Sequence, residues 1–260
     1  MDKATLGGLF LAIGGILLGL LLEGGNLGQV LQPTAAMIVF GGTLGAILIQ
    51  YPLPMVLRAF RRLEQVFVEP KQDAQATITV LVNYARTARR EGIISLDKEL
   101  PNIQDPFLRR ALMLAVDGTD PEELRKIMEL ELDNTEEQEE KIPQLFESAG
   151  GFSPTIGIIG AVLGLIQVMQ HLDKIDEVGK GIAVAFVATL YGVGAANLIL
   201  LPCAGKLKIR IRDEQIIREM TLEGVVSILG GMNPRMLQAK LLGFLAKANE
   251  HTAVSEESNP

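Results

Sequence analysis

The chain has 260 residues, 48% of them hydrophobic, and a formal net charge of -7. A single cysteine and two histidines exclude an internal disulfide and a cysteine-based metal site, and the acidic balance gives no support to a nucleic-acid partner. The apolar residues are gathered into four uncharged runs of membrane-spanning length, which marks an all-α integral membrane protein.

The first run, Ala4 to Leu22, is long for a signal-peptide core and no A-x-A-like site follows it, so it reads as a retained span. The second runs from Pro33 to Ile49. Gly15 and Gly19 in the first, and Gly41 and Gly45 in the second, are GxxxG pairs expected to serve helix contact. Next, Val56, Phe60, Leu63 and Phe67 recur at helical spacing with Arg58, Arg61 and Arg62 between them. That pattern predicts a basic amphipathic helix on the inner membrane surface.

The following soluble stretch reads as short helices. Asp105 before Pro106, and Asp120 before Pro121 with Glu123 three residues on, are helix starts in which a carboxylate accepts from unpaired amides. Gly118 ends the first of these helices, and an acidic helix from Glu122 to Ser148 is expected to break at Pro143. The third run, Phe152 to Gln170, has Pro154 near its start and then Gly157, Gly160, Ala161 and Gly164, a nearly bare helix face suited to close packing or to lining a path.

The fourth run, Gly181 to Cys203, carries Thr189 at its middle. The Thr189 hydroxyl can bond back to the preceding turn or serve a partner, and the same choice stands for Tyr191 and Asn197. Beyond it the helix is expected to continue to Gly230 and Gly231. His171 and His251 lie far apart and make no metal cluster.

Lys and Arg set the orientation. Residues 51–150 hold 13 of the 24 and the chain after Cys203 holds 8, whereas the short third-to-fourth connection has only Lys174 and Lys180. Both termini and the long segment are therefore expected in the cytoplasm. The division is two spans in 1–50, a cytoplasmic helical domain in 51–150, two spans in 151–205, a helical extension in 206–248 and a disordered tail in 249–260. No span interior carries Asp, Glu, Lys, Arg or His, so the chain cannot relay protons alone and a partner must supply any titrating group. No nucleophile, base and orienter set and no nucleotide loop occurs, which argues against an enzyme.

Several motifs, in order, resemble the MotA family of flagellar stator subunits: LGGLFLAIGGILLGLLLEGG in the first span, ARREGIISLDKEL in the soluble segment, SPTIGIIGAVLGLI in the third span, and VATLYGVG in the fourth with a proline 13 residues after its Thr. The resemblance covers about Ala4 to Leu245. It implies a ring, a pentamer, around the single spans of a MotB-like dimer whose aspartate carries the ion, in the bacterial cytoplasmic membrane. Pro154 matches the family proline opening the third span, Pro202 the one ending the fourth, and Thr189 the polar residue facing the partner's aspartate.

Aligning on Gly92, Ser95 and Leu96 places the basic and acidic residues that meet the rotor protein FliG at Arg89 and Asp97, with Arg90 and Glu99 as neighbours. Many relatives have Glu where this chain has Asp97, so that carboxylate reaches one methylene less. Sodium-driven relatives carry Thr where this chain has Ala161, which implies protons as the driving ion and no bound cofactor. The alternative is an energiser of the ExbB or TolQ type. Those proteins usually place one span before the cytoplasmic segment, and this chain has two.

Overall fold

The computed structural model describes residues 2–68 and 74–244, and no strand occurs among them. The expected disordered tail, 249–260, lies outside the described residues. Helix α1 (Lys3–Leu22) leads through a tight turn, Leu27–Val30, into α2, residues 33–50, in which a widened π turn, Met37–Gly41, joins Pro33–Ala36 to Gly42–Gln50. Short helices α3 (Leu53–Arg62) and α4 (Glu64–Phe67) follow, then α5 (Ala74–Glu91), a 3-10 segment Ile93–Asn102, and α6 (Pro106–Val116). Helix α7 is Pro121–Gln170. Helix α8 covers residues 175–229, as Ile175–Ala195, a π turn Ala196–Leu200 and Leu201–Leu229, and α9 covers 234–244.

The chain divides into two units, Met1–Pro70 with Glu140–Ile209, and Lys71–Glu139 with Arg210–Pro260. The first contains the apolar runs. Among the described residues, four helices are long and apolar enough to cross a membrane. Helix α1 buries none of its residues within the chain, so its apolar surface is left to lipid or to other subunits.

What ties α1 down is its first turn. One Asp2 carboxylate oxygen accepts from the amides of Ala4 (3.0 Å) and Thr5 (3.2 Å), while the Lys206 ammonium donates to the other oxygen and to the Thr5 hydroxyl (2.6 Å). The Asp2 amide donates to the Phe67 carbonyl at 2.9 Å. The Lys206 hydrogen bond, aided by the Thr5 amide, holds the Asp2 carboxyl down at about 2, against an ordinary 3.8. Because this value is depressed, the attachment is complete above the ordinary range and is lost as pH falls from about 4 towards 2. Protection of the Ala4 and Thr5 amides in the solubilised chain, taken relative to their intrinsic exchange at each pH, is expected to fall across that window. Unchanged protection, or equal protection in Lys206→Met at neutral pH, would refute the attachment.

Helix α3 packs in the same unit as the spans. Val56, Ala59 and Val66 are buried there with Ile47, Ile142, Phe146 and Leu207, and Phe60 meets Phe146 edge to face at 6.4 Å. Arg58 and Arg61 are exposed. A helix with an anchored apolar side and exposed arginines, in the unit that holds the spans, suits the membrane surface rather than the soluble core.

Two expectations are corrected. Helix α7 is unbroken at Pro143 and Pro154, so the acidic soluble helix and the third span are one 50-residue rod. Each proline removes one intrahelical hydrogen bond, yet Ile142, Leu145 and Phe146 beside Pro143 are all buried, and that packing holds the helix through it. Second, a Cβ added at Gly15, Gly19, Gly41 or Gly45 would meet nothing within 4 Å among the described residues. The helix contact expected of those GxxxG pairs is therefore not one within the described chain.

The second unit is helical and builds one core from distant segments. Leu81 and Leu96, Leu112, Leu124 and Met128, and Met220, Leu237 and Leu241 are buried together. Asp105 and Asp120 cap α6 and α7 through the amides of Phe107 and Glu122, both at 2.9 Å. Gly118 (φ 82°) and Gly231 (φ 72°) take the left-handed conformation that ends α6 and α8. Glu223 joins Arg125 (2.7 Å) and Lys240; burial pushes its carboxyl up, but the two cations outweigh that and hold it below the ordinary range.

Candidate functional site

The third and fourth spans, in α7 and α8, meet along a seam of small residues. A Cβ on Gly192 would lie 2.5 Å from the Ser153 carbonyl oxygen, and one on Gly157 would lie 2.9 Å from that of Ala188. Farther along, Gly164 faces Gly181 and Ala185 with the same closeness. The glycines of that face, Gly157, Gly160 and Gly164, are thus closed by neighbouring residues of the chain and serve packing.

This seam brings two of the expected residues together. Pro154 lies against Gly192, its Cα 3.2 Å from the position of a Cβ there, and the Thr189 Cα is 3.4 Å from a Cβ position on Gly157. Pro154 and Thr189 therefore occupy adjacent turns of one antiparallel pair, and both are half-buried. Ala161 is half-buried on α7, two turns from Pro154. Pro202 is exposed and lies 13 residues from Thr189, about 20 Å along the helix. It is not part of the same cluster. The π turn Ala196–Leu200, in which the Leu201 amide reaches five residues back to Ala196, directly precedes Pro202 and widens the helix where the proline cannot donate.

The polar side chains of the fourth span take different partners within the chain. Thr189 Oγ1 donates to the Ala185 carbonyl at 3.2 Å and Asn197 Nδ2 to that of Val193 at 2.9 Å, so both bond back to the preceding turn. Tyr191 does not. Its hydroxyl donates to the Val30 carbonyl at 2.6 Å and accepts from the Gln32 amide at 3.3 Å, pinning the first hairpin's connection to the fourth span. Ser153 was not singled out from sequence. It is 1% exposed, and its hydroxyl makes no hydrogen bond among the described residues. Its only sequence signal is its place just before Pro154.

The charged candidates lie on the second unit. Arg89 and Arg90 stand in the last turn of α5, where cations favour the helix C-terminus. Gly92 (φ 86°) turns the chain there, the Ser95 hydroxyl donates to its carbonyl at 2.6 Å, and fully buried Leu96 pins the loop. Arg89, Arg90, Asp97 and Glu99 are all exposed. In a 3-10 segment residues two apart diverge, and the two acids differ accordingly. Glu99 lies near Tyr84, whose phenol is pushed up by burial and by the charge of Glu99. Ile94, on the same loop, is 72% exposed, an apolar feature that charge patterning did not mark. Among the described residues no cluster of His, Cys, Asp and Glu could hold a metal ion.

Residues 99–220 match the MotA/TolQ/ExbB proton channel family, and residues 6–92 match the motility protein A N-terminal family. The chain is 36% identical to motility protein A of Bacillus subtilis, over 94% of this chain and 91% of the relative. It superimposes on a chain of the C. jejuni MotAB structure with a TM-score of 0.88 at 32% identity, covering 94% of this chain and 96% of that one. A second match is the flagellar MotAB stator complex from Bacillus subtilis, with a TM-score of 0.85 at 36% identity over 97% and 100%. Similarity of sequence and fold over nearly the whole length leads to one conclusion: the chain belongs to the motility protein A family, within the MotA/TolQ/ExbB proton channel family.

Proposed function

We propose that this chain is the ring-forming stator subunit of a bacterial flagellar motor, assembled as a pentamer around a MotB-like partner and driven by protons. It is an inner-membrane protein with both termini in the cytoplasm, and no enzyme. The solved relatives are MotAB complexes, which supports the partner. The match to the motility protein A N-terminal family argues against the ExbB or TolQ alternative.

The observation that carries the reading is the pairing of Pro154 with Thr189 in a seam of spans devoid of ionisable groups. An aspartate on the partner's span is the carrier this arrangement lacks. Thr189 donates its proton to Ala185, which leaves its oxygen lone pairs to accept from a protonated carboxyl. A carboxylate would require the hydroxyl to turn away from Ala185. Thr189 thus favours the protonated carrier, and Pro154, rigid beside it, passes the change to the helix that runs on into the soluble unit. Pro202 shapes the far end of the fourth span. Ala161 offers no oxygen, whereas a partly dehydrated sodium ion needs several, so the ion is a proton.

Swimming measured without sodium, and with a protonophore, tests the ion: only the protonophore is expected to stop it, and arrest without sodium would overturn the proton assignment. Thr189→Ala is expected to leave assembly intact and to slow torque generation about fivefold, the effect of one hydrogen bond of about 1 kcal/mol. Co-purification with a single-span, peptidoglycan-binding protein is expected; a TonB- or TolR-like partner would instead favour the energiser.

A further inference from the structure

We propose that the membrane unit binds one anionic phospholipid, with an acyl chain in a cavity between α2, α3, α7 and α8 and its headgroup on Arg58 and Arg61. The proposal rests on reading α3 as a membrane-surface helix, but not on the identity of the partner or of the driving ion.

The cavity measures about 350 Å³ and its wall is almost wholly carbon, with Leu44 and Ile47 from α2, Phe60 from α3 and Leu63 just after it, Phe146 from α7 and Ile199 from α8. Of its two hydroxyls, that of Thr43 is engaged by the Val39 carbonyl at 2.6 Å, and that of Ser153 is buried. A polar solute would find no set of partners there, whereas a hydrocarbon chain loses nothing on entry and gains dispersion contacts. Leu44, Phe60 and Ile199 are each about half exposed, so the cavity opens on the apolar surface of the unit. An acyl chain can enter the cavity from that surface.

Charge selects the headgroup. Helix α3 lends Phe60 to the cavity wall and carries Arg58 and Arg61 three residues apart on one exposed face. Arg62 is engaged with Gln65 at 2.6 Å, and Glu64 is the exposed acid on the neighbouring turn. Of the charges on the other elements near the rim, Glu147 and Lys208 pair with each other at 2.6 Å, and Lys206 is held by Asp2. Two exposed arginines on an amphipathic helix beside an apolar slot are suited to a phosphodiester whose acyl chain lies in the slot.

The test is native mass spectrometry of the full chain, delipidated and offered dioleoyl phosphatidylglycerol or dioleoyl phosphatidylcholine. The wild type is expected to retain one phosphatidylglycerol per chain with about tenfold preference. The double variant Arg58→Gln, Arg61→Gln is expected to lose the preference but keep a lipid, and Leu44→Trp, which fills the mouth, to lose the lipid. Ile199→Trp blocks the mouth from the other side should Leu44→Trp fail to fold. The proposal is overturned by no retained lipid, by equal retention of both headgroups in the wild type, or by unchanged retention in both tryptophan variants. A disulfide between chains carrying Leu44→Cys, with no lipid retained, would show a second copy covering the cavity and would overturn it too.

Discussion

Gly192→Val is expected to prevent the fourth span from docking on the third, with loss of the folded membrane unit. At this position even one methyl group would sit 2.5 Å from the Ser153 carbonyl oxygen, 3.1 Å from the Gly157 Cα and 3.2 Å from the Pro154 Cα. All three are backbone atoms, so no side-chain rotation relieves the clash and the helices must separate. Overpacking costs about 1–3 kcal/mol when neighbours can shift, which is the range expected for Gly192→Ala. Valine adds two further methyl groups against the same backbone and exceeds it. Gly194, two residues on, meets nothing within 4 Å in this chain. Gly194→Ala is therefore expected to change stability within about 0.5 kcal/mol. Thermal unfolding of the detergent-solubilised chain compares the variants directly. Equal stability of Gly192→Val and Gly194→Ala would mean that the seam does not hold the spans together.

This contrast also marks how far the sequence can be read. The four spans are legible because uncharged runs of that length have few other uses in a chain. The glycine pattern is less informative: it marks where a neighbour can come close, and the same pattern in α1 and α2 has no neighbour among the described residues. Only coordinates distinguish Gly157, closed by Ala188, from Gly15, which faces open space. The continuity of α7 was hidden because local proline penalties predict a break, and burial of residues around Pro143 by segments far away in sequence overrides them. Thr189 was legible as one of two alternatives. Tyr191 was not, since its partners are the backbone of Val30 and Gln32, and a backbone carbonyl leaves no mark in a sequence. The lipid-sized cavity is likewise a shortage of volume shared by four segments. No single segment records it.

The family resemblance places Arg89 at the rotor contact, and on that reading Arg89→Asp is expected to abolish productive contact while leaving folding and ion flow intact. Arg89 is exposed, so its replacement touches no core, and exchanging a cation for an anion in the last turn of α5 costs the fold about 1 kcal/mol. Its place on α5, beside the turn at Gly92, holds it on a rigid support, and Leu96 anchors the opposite side of the loop. Such a surface can recognise opposite charge and release it quickly, because exposed ion pairs are weak one by one and shape encounter more than affinity. Reversal places a repulsive charge there, so motility should fall by tenfold or more and stator recruitment to the motor should drop with it. The two acids separate in the same assay. Asp97→Arg should be severe, whereas Glu99→Arg should be mild, because Glu99 lies by Tyr84 within its own unit. Raised ionic strength should weaken recruitment of the wild type in the same direction. A compensating charge reversal on the rotor should restore Arg89→Asp. Normal swimming in Arg89→Asp and Asp97→Arg would remove these residues from the rotor contact while leaving the proposed coupling at the seam untouched.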